Sequence, residues 1–337
     1  MNQDKYSRQI LFLPIGAEGQ QRLRRAKVVI VGCGALGTMQ ANSLVRAGVG
    51  TLRIVDRDYV EESNLQRQIL FDESDARQNL PKAIAAQRKL NGINSDVDVQ
   101  AMIADADGRN IENLVQGFDV ILDGTDNFET RYLLNDVSQK LGVPWIYAAV
   151  VGSYATTLTV LPGGTACLAC LFPAAPKGIQ ETCDTVGVIA PAAAWAAAVQ
   201  VTEAIKIIIG RHAELHGLLL SYDIWQNRVQ NIQPRIDPSC RVCGARDFVH
   251  LRIGDVAPTS LCGRDAVQIR RQESQGFDLA ALKLRLEKFG PVRGNEFLLK
   301  CALDPYELTI FTDGRAIIRG TQDPAVARSL YAKYVGG

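Results

Sequence analysis

The stretch Lys27-Val-Val-Ile-Val-Gly-Cys-Gly-Ala-Leu-Gly37 decides the fold. Its apolar run predicts a buried strand, and Gly32, Gly34 and Gly37 then follow with the spacing Gly-x-Gly-x-x-Gly before a helical pattern begins. In such a turn the first glycine permits the tight bend, the second lets the backbone approach a phosphate, and the third lets the helix pack on the strand. The helix N-terminus adds N–H donors and a positive dipole. The stretch therefore predicts a nucleotide site without saying which nucleotide it binds.

Strand-like and helix-like segments alternate through the first half of the chain. Strand patterns lie at residues 28–31, 51–56, 97–102, 119–123 and 145–150, with helical patterns between them. This alternation predicts a Rossmann-like, doubly wound and mainly parallel sheet. The stretch SYATTLTVLPGG, which starts at Ser153, predicts an antiparallel extension of that sheet. We expect a larger α/β domain over residues 1–248 and a small α+β appendage over residues 249–337.

Composition excludes several classes of protein. The 337 residues are 47% hydrophobic and carry a net charge of +1, which gives no electrostatic reason to expect nucleic acid or an anionic membrane as a partner. The alanine-rich segment 189–210 contains Glu203 and Lys206, so we expect a buried helix rather than a membrane span. The N-terminal residues lack the pattern of a signal peptide. A cytoplasmic protein is the expectation.

The polar residues that follow the strand ends bear on the choice of nucleotide. The second strand ends on Asp56, where a carboxylate can accept a hydrogen bond from a ribose hydroxyl. More polar residues follow this strand and the strand at 119–123, namely Asp58, Asn64, Arg67, Gln68, Lys82, Asp126 and Asn127. Fixed cations, amides and carboxylates suit a triphosphate with Mg²⁺, because nucleotidyl transfer depends mostly on positioning and charge neutralisation. The sequence therefore favours Mg-ATP over a dinucleotide.

Two other functions are less favoured by the residues alone. An NAD-dependent oxidoreductase needs an acid or base at the reacting carbon, often a histidine. The three histidines, His212, His216 and His250, all lie outside the sheet half of the chain. A non-catalytic scaffold would have no need of Arg67, Lys82 and Asp126 together.

Four of the eight cysteines form two Cys-x-x-Cys pairs, Cys167 with Cys170 and Cys240 with Cys243. Two such pairs have the composition of a closed tetrathiolate zinc site. The distance in sequence between the pairs is much longer than in a contiguous zinc ribbon, so spacing alone leaves four reduced, metal-free cysteines as an alternative.

Several segments match one known family together. They are YSRQI (Tyr6–Ile10), VGCGALG, VDRDYVEESNLQRQ, Pro81-Lys82, LDGTDNFETR (Leu122–Arg131), the two Cys-x-x-Cys pairs and ETCDTVGVIAP. The sequence between the N-terminus and about Phe248 thereby resembles the ThiF/MoeB/HesA adenylyltransferases, relatives of the ubiquitin-activating enzymes. The resemblance implies that the chain adenylylates the C-terminal glycine of a small ubiquitin-like sulfur carrier, using Mg-ATP and releasing pyrophosphate.

The same resemblance implies roles for individual residues. The glycine turn around Gly34 approaches the ATP phosphates, and Asp56 binds the ribose. The triphosphate is held by Asn64, Arg67 and Lys82; Asp58, Gln68 and Asn127 are nucleotide-binding candidates from their positions after the strands. Asp126 binds Mg²⁺ near the α-phosphate. Arg8 reaches across a homodimer to the partner's ATP, and Cys167, Cys170, Cys240 and Cys243 hold a structural zinc ion.

The carrier and the role of Cys183 stay open at this level. The residues after Phe248 resemble the tail of Bacillus-type ThiF proteins, which favours a ThiS-type carrier and thiamine thiazole biosynthesis over a MoaD-type carrier and molybdopterin. Nothing there resembles a fused rhodanese domain, so a separate sulfur donor is expected. Cys183 precedes the alanine-rich helix; it either forms a covalent link with the carrier or has a conformational role in a crossover loop.

Overall fold

The computed structural model describes residues 5–174, 183–252, 259–261, 265–269 and 278–336. These residues divide into two compact units. The first lies within Met1–Ala76 and Pro81–Ile253, and the second within Arg77–Leu80 and Gly254–Gly337. The second unit is therefore discontinuous in sequence.

The first unit is built on an eight-stranded sheet in the order β3-β2-β1-β4-β5-β6-β7-β8. Its strands are β1 Lys27–Val31, β2 Thr51–Asp56, β3 Asp98–Ile103, β4 Val120–Asp123, β5 Trp145–Val151, β6 Tyr154–Val160, β7 Leu219–Asp223 and β8 Arg228–Ile232. Strands β1 to β5 run parallel, and β5 to β8 pair in antiparallel fashion. The expected doubly wound parallel sheet with an antiparallel extension is confirmed.

Ten helices accompany this sheet in the described residues. They are α1 Ser7–Leu11, α2 Gly16–Arg25, α3 Ala35–Ala47, α4 Glu73–Arg77, α5 Lys82–Ile93, α6 Ile111–Val115, α7 Phe128–Leu141, α8 Leu168–Leu171, α9 Cys183–Val186 and α10 Ala190–Ile208. Strands β1 and β4 are neighbours, and from them the strand order runs outward in opposite directions. Their carboxyl ends therefore form the crevice in which ligands bind in such sheets.

The alanine-rich helix α10 is buried in the first unit. Its alanines pack with Leu36 and Met39 of α3 and with Ala148 and Val150 of β5, since small side chains permit a close approach. The amide of Gln200 donates to the carbonyls of Asp123 and Ile146 at 3.0 and 2.7 Å, so this buried polar group is satisfied by the strand ends. In the part of the chain that is described, no helix has the length and apolarity that crossing a membrane requires.

The second unit contains an antiparallel sheet in the order β11-β12-β13-β14-β10-β9. Its elements are β9 Thr259–Leu261, β10 Ala266–Ile269, α11 Leu279–Leu286, β11 Val292–Gly294, β12 Leu298–Leu303, β13 Tyr306–Phe311, β14 Ala316–Arg319 and α12 Pro324–Tyr334. Asp278 and Asp323 cap the two helices through their side chains. Within this unit the side-chain amide of Asn295 donates to the carbonyls of Gln78 and Asn79 at 2.8 and 3.2 Å. The expected small α+β appendage is thus present as a folded unit.

The structure also contains elements that sequence patterning did not predict. Helix α2 carries only a narrow buried face, formed by Gly19, Gln20 and Leu23, so its apolar signal is weak. All five residues of β8 are exposed, and a strand without a buried face shows no alternation of polar and apolar residues.

We expect Gly37→Ala to destabilise the first unit. A Cβ atom at Gly37 would lie 2.0 Å from the carbonyl oxygen of Gly32, so the glycine turn would have to shift. The expected loss is about 2 kcal/mol in the free energy of unfolding, measured by urea titration. Gly92→Ala in α5 is the control, because a Cβ atom there meets nothing within 4 Å and the helix should gain up to about 1 kcal/mol. If Gly37→Ala and Gly92→Ala were equally stable, the close approach of Gly37 to the carbonyl oxygen of Gly32 would be contradicted.

Candidate functional site

The glycine turn after β1 is fixed by contact with the turn after β4. Gly32 has a φ of +94°, a left-handed conformation that favours glycine. A Cβ atom on Gly32 would lie 2.5 Å from the carbonyl oxygen of Gly124, and one on Gly124 would lie 2.2 Å from the carbonyl oxygen of Gly32. The two backbones can lie this close only because both residues lack a side chain.

Gly34, by contrast, faces open space. It forms the N-cap of α3, and its carbonyl accepts hydrogen bonds from the N–H and the hydroxyl of Thr38 at 3.0 and 2.9 Å. A Cβ atom built on Gly34 meets only the side-chain nitrogen of Gln68, 3.9 Å away. The N-terminus of α3, with its orphan N–H groups, is therefore accessible to an anion such as a phosphate.

Asp56 ties the glycine turn to the end of β2. Its Oδ2 accepts from the N–H of Cys33 at 2.6 Å, and its Oδ1 accepts from the N–H of Asp58 at 2.7 Å. The side chain is nearly buried, and this burial raises the pKa of Asp56 although Lys82 lowers it in part. A carboxylate has about four lone-pair sites, so two remain for a ligand hydroxyl.

Lys82 places a buried positive charge beside the same turn. It is the first residue of α5, its backbone N–H donates to the carbonyl of Asp58 at 2.9 Å, and its Nζ lies 3.3 Å from Asp58 Oδ2. The residue is only 5% exposed. A buried ammonium group needs opposite charge nearby, which Asp58 and Asp56 supply. A fixed cation that is paired with Asp58 and attracted by Asp56 thus lies beside the turn.

In the segment Asn64–Gln68, the side-chain nitrogen of Gln68 lies 3.9 Å from the position that a Cβ atom on Gly34 would take. The carbonyl of Asn64, which ends the 3₁₀ turn Glu62–Asn64, accepts from the N–H groups of Arg67 and Gln68, both at 3.1 Å. Asn64 and Gln68 are buried, and in the described part of the chain the Oε1 of Gln68 has no hydrogen-bond partner. The guanidinium of Arg67 donates to the carbonyl of Ser63 at 2.9 Å and is partly exposed. Of these three side chains, Gln68 is the one that the geometry places beside the glycine turn, where it can contact a polar ligand.

Asp126 and Asn127 occupy the turn between β4 and α7. Asn127 caps α7, since its Oδ1 accepts from the N–H of Thr130 at 2.9 Å. The side chain of Asp126 is exposed and accepts a hydrogen bond of 3.3 Å from the amide of Asn127. An exposed carboxylate at this crevice is a suitable ligand for Mg²⁺.

Three charged residues at this site were not singled out from the sequence. Burial lowers the pKa of Arg57, but the carboxylates of Asp105, Asp58 and Asp126 outweigh it and raise that pKa above its usual value. Arg57 pairs with Asp105 at 3.1 Å.

Asp123 and Arg131 are both buried, and burial raises the pKa of Asp123 to about 6 although Arg131 lowers it in part. In the sequence Arg57 is one charge in an Asp-Arg-Asp run and Arg131 is one of many helix charges, so their spacing gave no signal.

Arg8 does not join the other site residues of its own chain. The ring of Tyr6, which precedes α1, packs on Gly48 at the C-terminal end of α3, and Gln9 donates to the carbonyl of Ala47 at 2.9 Å. The glycine turn lies at the other end of α3, roughly 20 Å away for a helix of this length. Arg8 itself is exposed.

Cys167, Cys170, Cys240 and Cys243 come together in the first unit. Their sulfur atoms all lie within 4.8 Å of one another, with separations of 3.9, 3.7 and 3.3 Å for three of the pairs. A tetrahedral zinc site with Zn–S bonds of about 2.3 Å needs sulfur atoms about 3.8 Å apart. Burial and the neighbouring sulfurs raise the pKa of Cys167 to about 11, so a cation is needed to hold this sulfur as a thiolate. The four-cysteine cluster can therefore hold a metal ion.

The remaining cysteines have other surroundings. The backbone of Cys183 begins α9, while its side chain lies outside the described residues, as does Cys262. Cys33 is fully buried within the glycine turn, and this burial raises the pKa of its thiol well above its usual value. Cys301 is buried in the core of the second unit. Cys33 and Cys301 act as packing residues.

The chain is similar to several adenylyltransferases. It is 46% identical over 336 residues to the sulfur carrier protein ThiS adenylyltransferase of Bacillus subtilis, covering 98% of this chain and 99% of that protein. It is 40% identical over 242 residues to the SAMP-activating enzyme E1 of Haloferax volcanii, covering 72% of this chain and 88% of that protein. The sulfur carrier protein adenylyltransferase of Thermus thermophilus is 37% identical over 248 residues, with 72% and 90% covered.

The fold is also similar to that of a solved enzyme with its nucleotide. The crystal structure of E. coli MccB with ATP superposes with a TM-score of 0.63 at 26% identity, covering 72% of this chain and 75% of that chain. Residues 6–242, which include the glycine turn and three of the four clustered cysteines, match the ThiF family. The family match and the near full-length Bacillus relative agree, and the chain belongs to the ThiF family.

Proposed function

We propose that this chain is an ATP-dependent adenylyltransferase that activates the C-terminal glycine of a ubiquitin-like sulfur-carrier protein of the ThiS type. The observation that carries the proposal is the 46% identity with the Bacillus subtilis enzyme, because it extends over both units. The relatives matched over 72% of the chain do not extend over its full length. A ThiS-type carrier is therefore favoured over a MoaD-type carrier.

The site geometry supports nucleotidyl transfer. The open N-terminus of α3 at Gly34 would hold phosphates, and the two remaining lone-pair sites of Asp56 would accept from the ribose hydroxyls. Lys82, Arg67 and Asn64 would bind the triphosphate, and Asp126 would hold Mg²⁺, which neutralises charge on the phosphates when bound. Asp58 fixes the ammonium of Lys82, and Gln68, beside Gly34, would donate from its amide to the bound phosphates.

The reaction needs positioning more than acid–base chemistry. A carboxylate oxygen of the carrier's terminal glycine attacks the α-phosphorus of ATP, the bond from that phosphorus to the bridging oxygen breaks, and pyrophosphate leaves with the electron pair. No proton has to move, so the absence of histidine from this crevice among the described residues is consistent with the chemistry. The cations of Lys82 and Arg67 stabilise the charge that develops on the leaving pyrophosphate. A separate donor would then supply sulfur to the adenylylated carrier.

Pyrophosphate exchange into ATP tests this function. The protein should exchange labelled pyrophosphate with ATP only when a carrier with a C-terminal glycine is present, and faster with a ThiS-type carrier than with a MoaD-type carrier. A carrier that lacks the terminal glycine is the control. Carrier-independent exchange, or none with either carrier, would refute the proposal.

Gly34→Ala and Asp126→Ala should separate ATP binding from stability. The added methyl group of Gly34→Ala would occupy the space proposed for a phosphate, while its only neighbour within 4 Å is the Gln68 nitrogen at 3.9 Å. We expect a KM for ATP at least about tenfold higher with an unchanged unfolding midpoint, since one lost charge-assisted contact has that effect.

Asp126→Ala should abolish pyrophosphate exchange, and Arg67→Ala should abolish it as well. Near-normal exchange in the last two variants would show that the site has been misplaced.

We also propose that the active form is a homodimer in which Arg8 completes the site of the partner. Two observations support this. Arg8 lies roughly a helix length away from the glycine turn of its own chain. The residues after it, Leu11, Phe12 and Leu13, are 67%, 60% and 91% exposed, an apolar run that a second copy would cover.

Mixing two inactive variants tests this arrangement. Arg8→Ala and Asp126→Ala should each be inactive alone. In mixed dimers one site would combine an intact Asp126 with an intact Arg8 of the other subunit, so remixing should restore about a quarter of wild-type exchange for random pairing. Arg8→Ala mixed with the double variant is the control and should stay inactive. No restoration in mixed dimers that are shown to form would place Arg8 outside the partner's site.

We further propose that the four-cysteine cluster binds one structural Zn²⁺ that joins α8 to the segment after β8. The protein as purified should then contain about one zinc per chain, as measured by elemental analysis. Cys243→Ser should lower the zinc content and the unfolding midpoint, because the site loses one of four thiolates. Cys301→Ser also alters a buried cysteine but should keep its zinc. Freshly purified, unchelated protein without zinc would refute the proposal.

A further inference from the structure

The turn between β4 and α7 is short and carries Asp126 between two fixed elements. Strand β4 ends at Asp123 and α7 begins at Phe128, so Gly124, Thr125, Asp126 and Asn127 form the whole connection. The exposed side chain of Asp126 makes one hydrogen bond in the described structure, to its neighbour Asn127. Its position is therefore set by the backbone of the turn together with the nearby positive charge of Arg57.

Asp123 fixes the first half of this turn. Its Oδ1 accepts hydrogen bonds from both the N–H and the hydroxyl of Thr125, at 2.9 and 2.7 Å. Asp123 is 0% exposed and Thr125 is 8% exposed, so water does not compete for these bonds. The carboxylate thus closes a ring of hydrogen bonds directly before Asp126.

Arg131 holds the same turn from the other side. It lies in the first turn of α7, and its Nη2 donates to the carbonyl of Thr125 at 2.9 Å. Its guanidinium lies over the rings of Phe128 and Tyr147, 5.3 and 5.6 Å from their centres, which restricts its rotation. Thr125 is therefore held through its N–H and hydroxyl by Asp123, and through its carbonyl by Arg131.

The two buried charges depend on each other. Arg131 Nε lies 3.8 Å from Asp123 Oδ2, and within the described residues neither atom has a hydrogen-bond partner. A buried ion whose partner is removed is left uncompensated, so loss of either charge should release the other. The arrangement also reaches the glycine turn, because Gly124 lies against Gly32.

We propose that Arg131 is a positioning residue that, together with Asp123, holds the Thr125 turn and so sets where Asp126 meets magnesium. The inference rests on the proposed function, which assigns Mg²⁺ to Asp126. It implies that Arg131 influences the Mg²⁺ concentration that the reaction needs, although it contacts neither ATP nor the carrier. A merely structural arginine would lower stability and activity without changing that dependence.

This role is tested by magnesium titration of pyrophosphate exchange and, without turnover, by Mn²⁺ binding to the enzyme with ATP and no carrier, followed by electron paramagnetic resonance; the same shifts are expected in both. Arg131→Lys keeps the charge but cannot both reach the Thr125 carbonyl and pair with Asp123. We expect the Mg²⁺ concentration for half-maximal exchange to rise about tenfold, the scale of one lost hydrogen bond to a charged group. Thr125→Val removes only the hydroxyl bond to Asp123. This variant should raise the Mg²⁺ concentration for half-maximal exchange about threefold, the scale of one neutral hydrogen bond.

Arg53→Lys is the matched control. Arg53 also lies over a ring, that of Phe118 at 4.4 Å, and donates to a main-chain carbonyl, that of Leu114 at 2.9 Å, but it lies on β2 away from the β4 turn. Its magnesium curve should coincide with that of the wild type. If the wild type exchanges pyrophosphate and the curves of Arg131→Lys and Thr125→Val coincide with that of Arg53→Lys, the positioning role is refuted. If the wild type does not exchange with any carrier, the proposed function fails and this inference fails with it.

Discussion

The contact between Gly32 and Gly124 is the constraint on which the site depends. It joins the ends of two neighbouring parallel strands through their backbones, without any side chain between them. The turn that offers helix N–H groups and the turn that carries Asp126 are therefore held in one fixed arrangement. A side chain on either glycine would separate them, and the phosphate and metal ligands would no longer face the same point.

Charge is arranged around this contact in two buried groups. Lys82 lies with Asp56 and Asp58 on the β2 side, while Arg131 lies with Asp123 on the β4 side. In each group the carboxylate also accepts hydrogen bonds from the backbone of a turn. Ion pairs of this kind contribute little net stability, but they restrict the positions of the groups that they connect. The site is thus preorganised before any ligand binds.

Much of the fold could be predicted from the sequence. Strand β2 has the expected bounds, because its apolar pattern ends at a clear aspartate, and the helical pattern expected after the glycine turn is present as α3. Strand β8 could not be predicted because it buries no face. At the site, the residues at the strand ends could be predicted from topology alone. The roles of Asp123 and Arg131 in fixing the β4 turn depend on distances across the turn, and sequence spacing does not contain those distances.

The discontinuity of the second unit has a consequence for the way in which the chain can be divided. Because Arg77–Leu80 belong to that unit, the polypeptide passes from one unit to the other three times rather than once. Cutting the chain after Ile253 would remove Asn295 but leave Gln78 and Asn79 behind, with their carbonyls deprived of the donor that binds them. Lys82 follows only a few residues later. The C-terminal region is therefore not a module that can be excised cleanly from this enzyme.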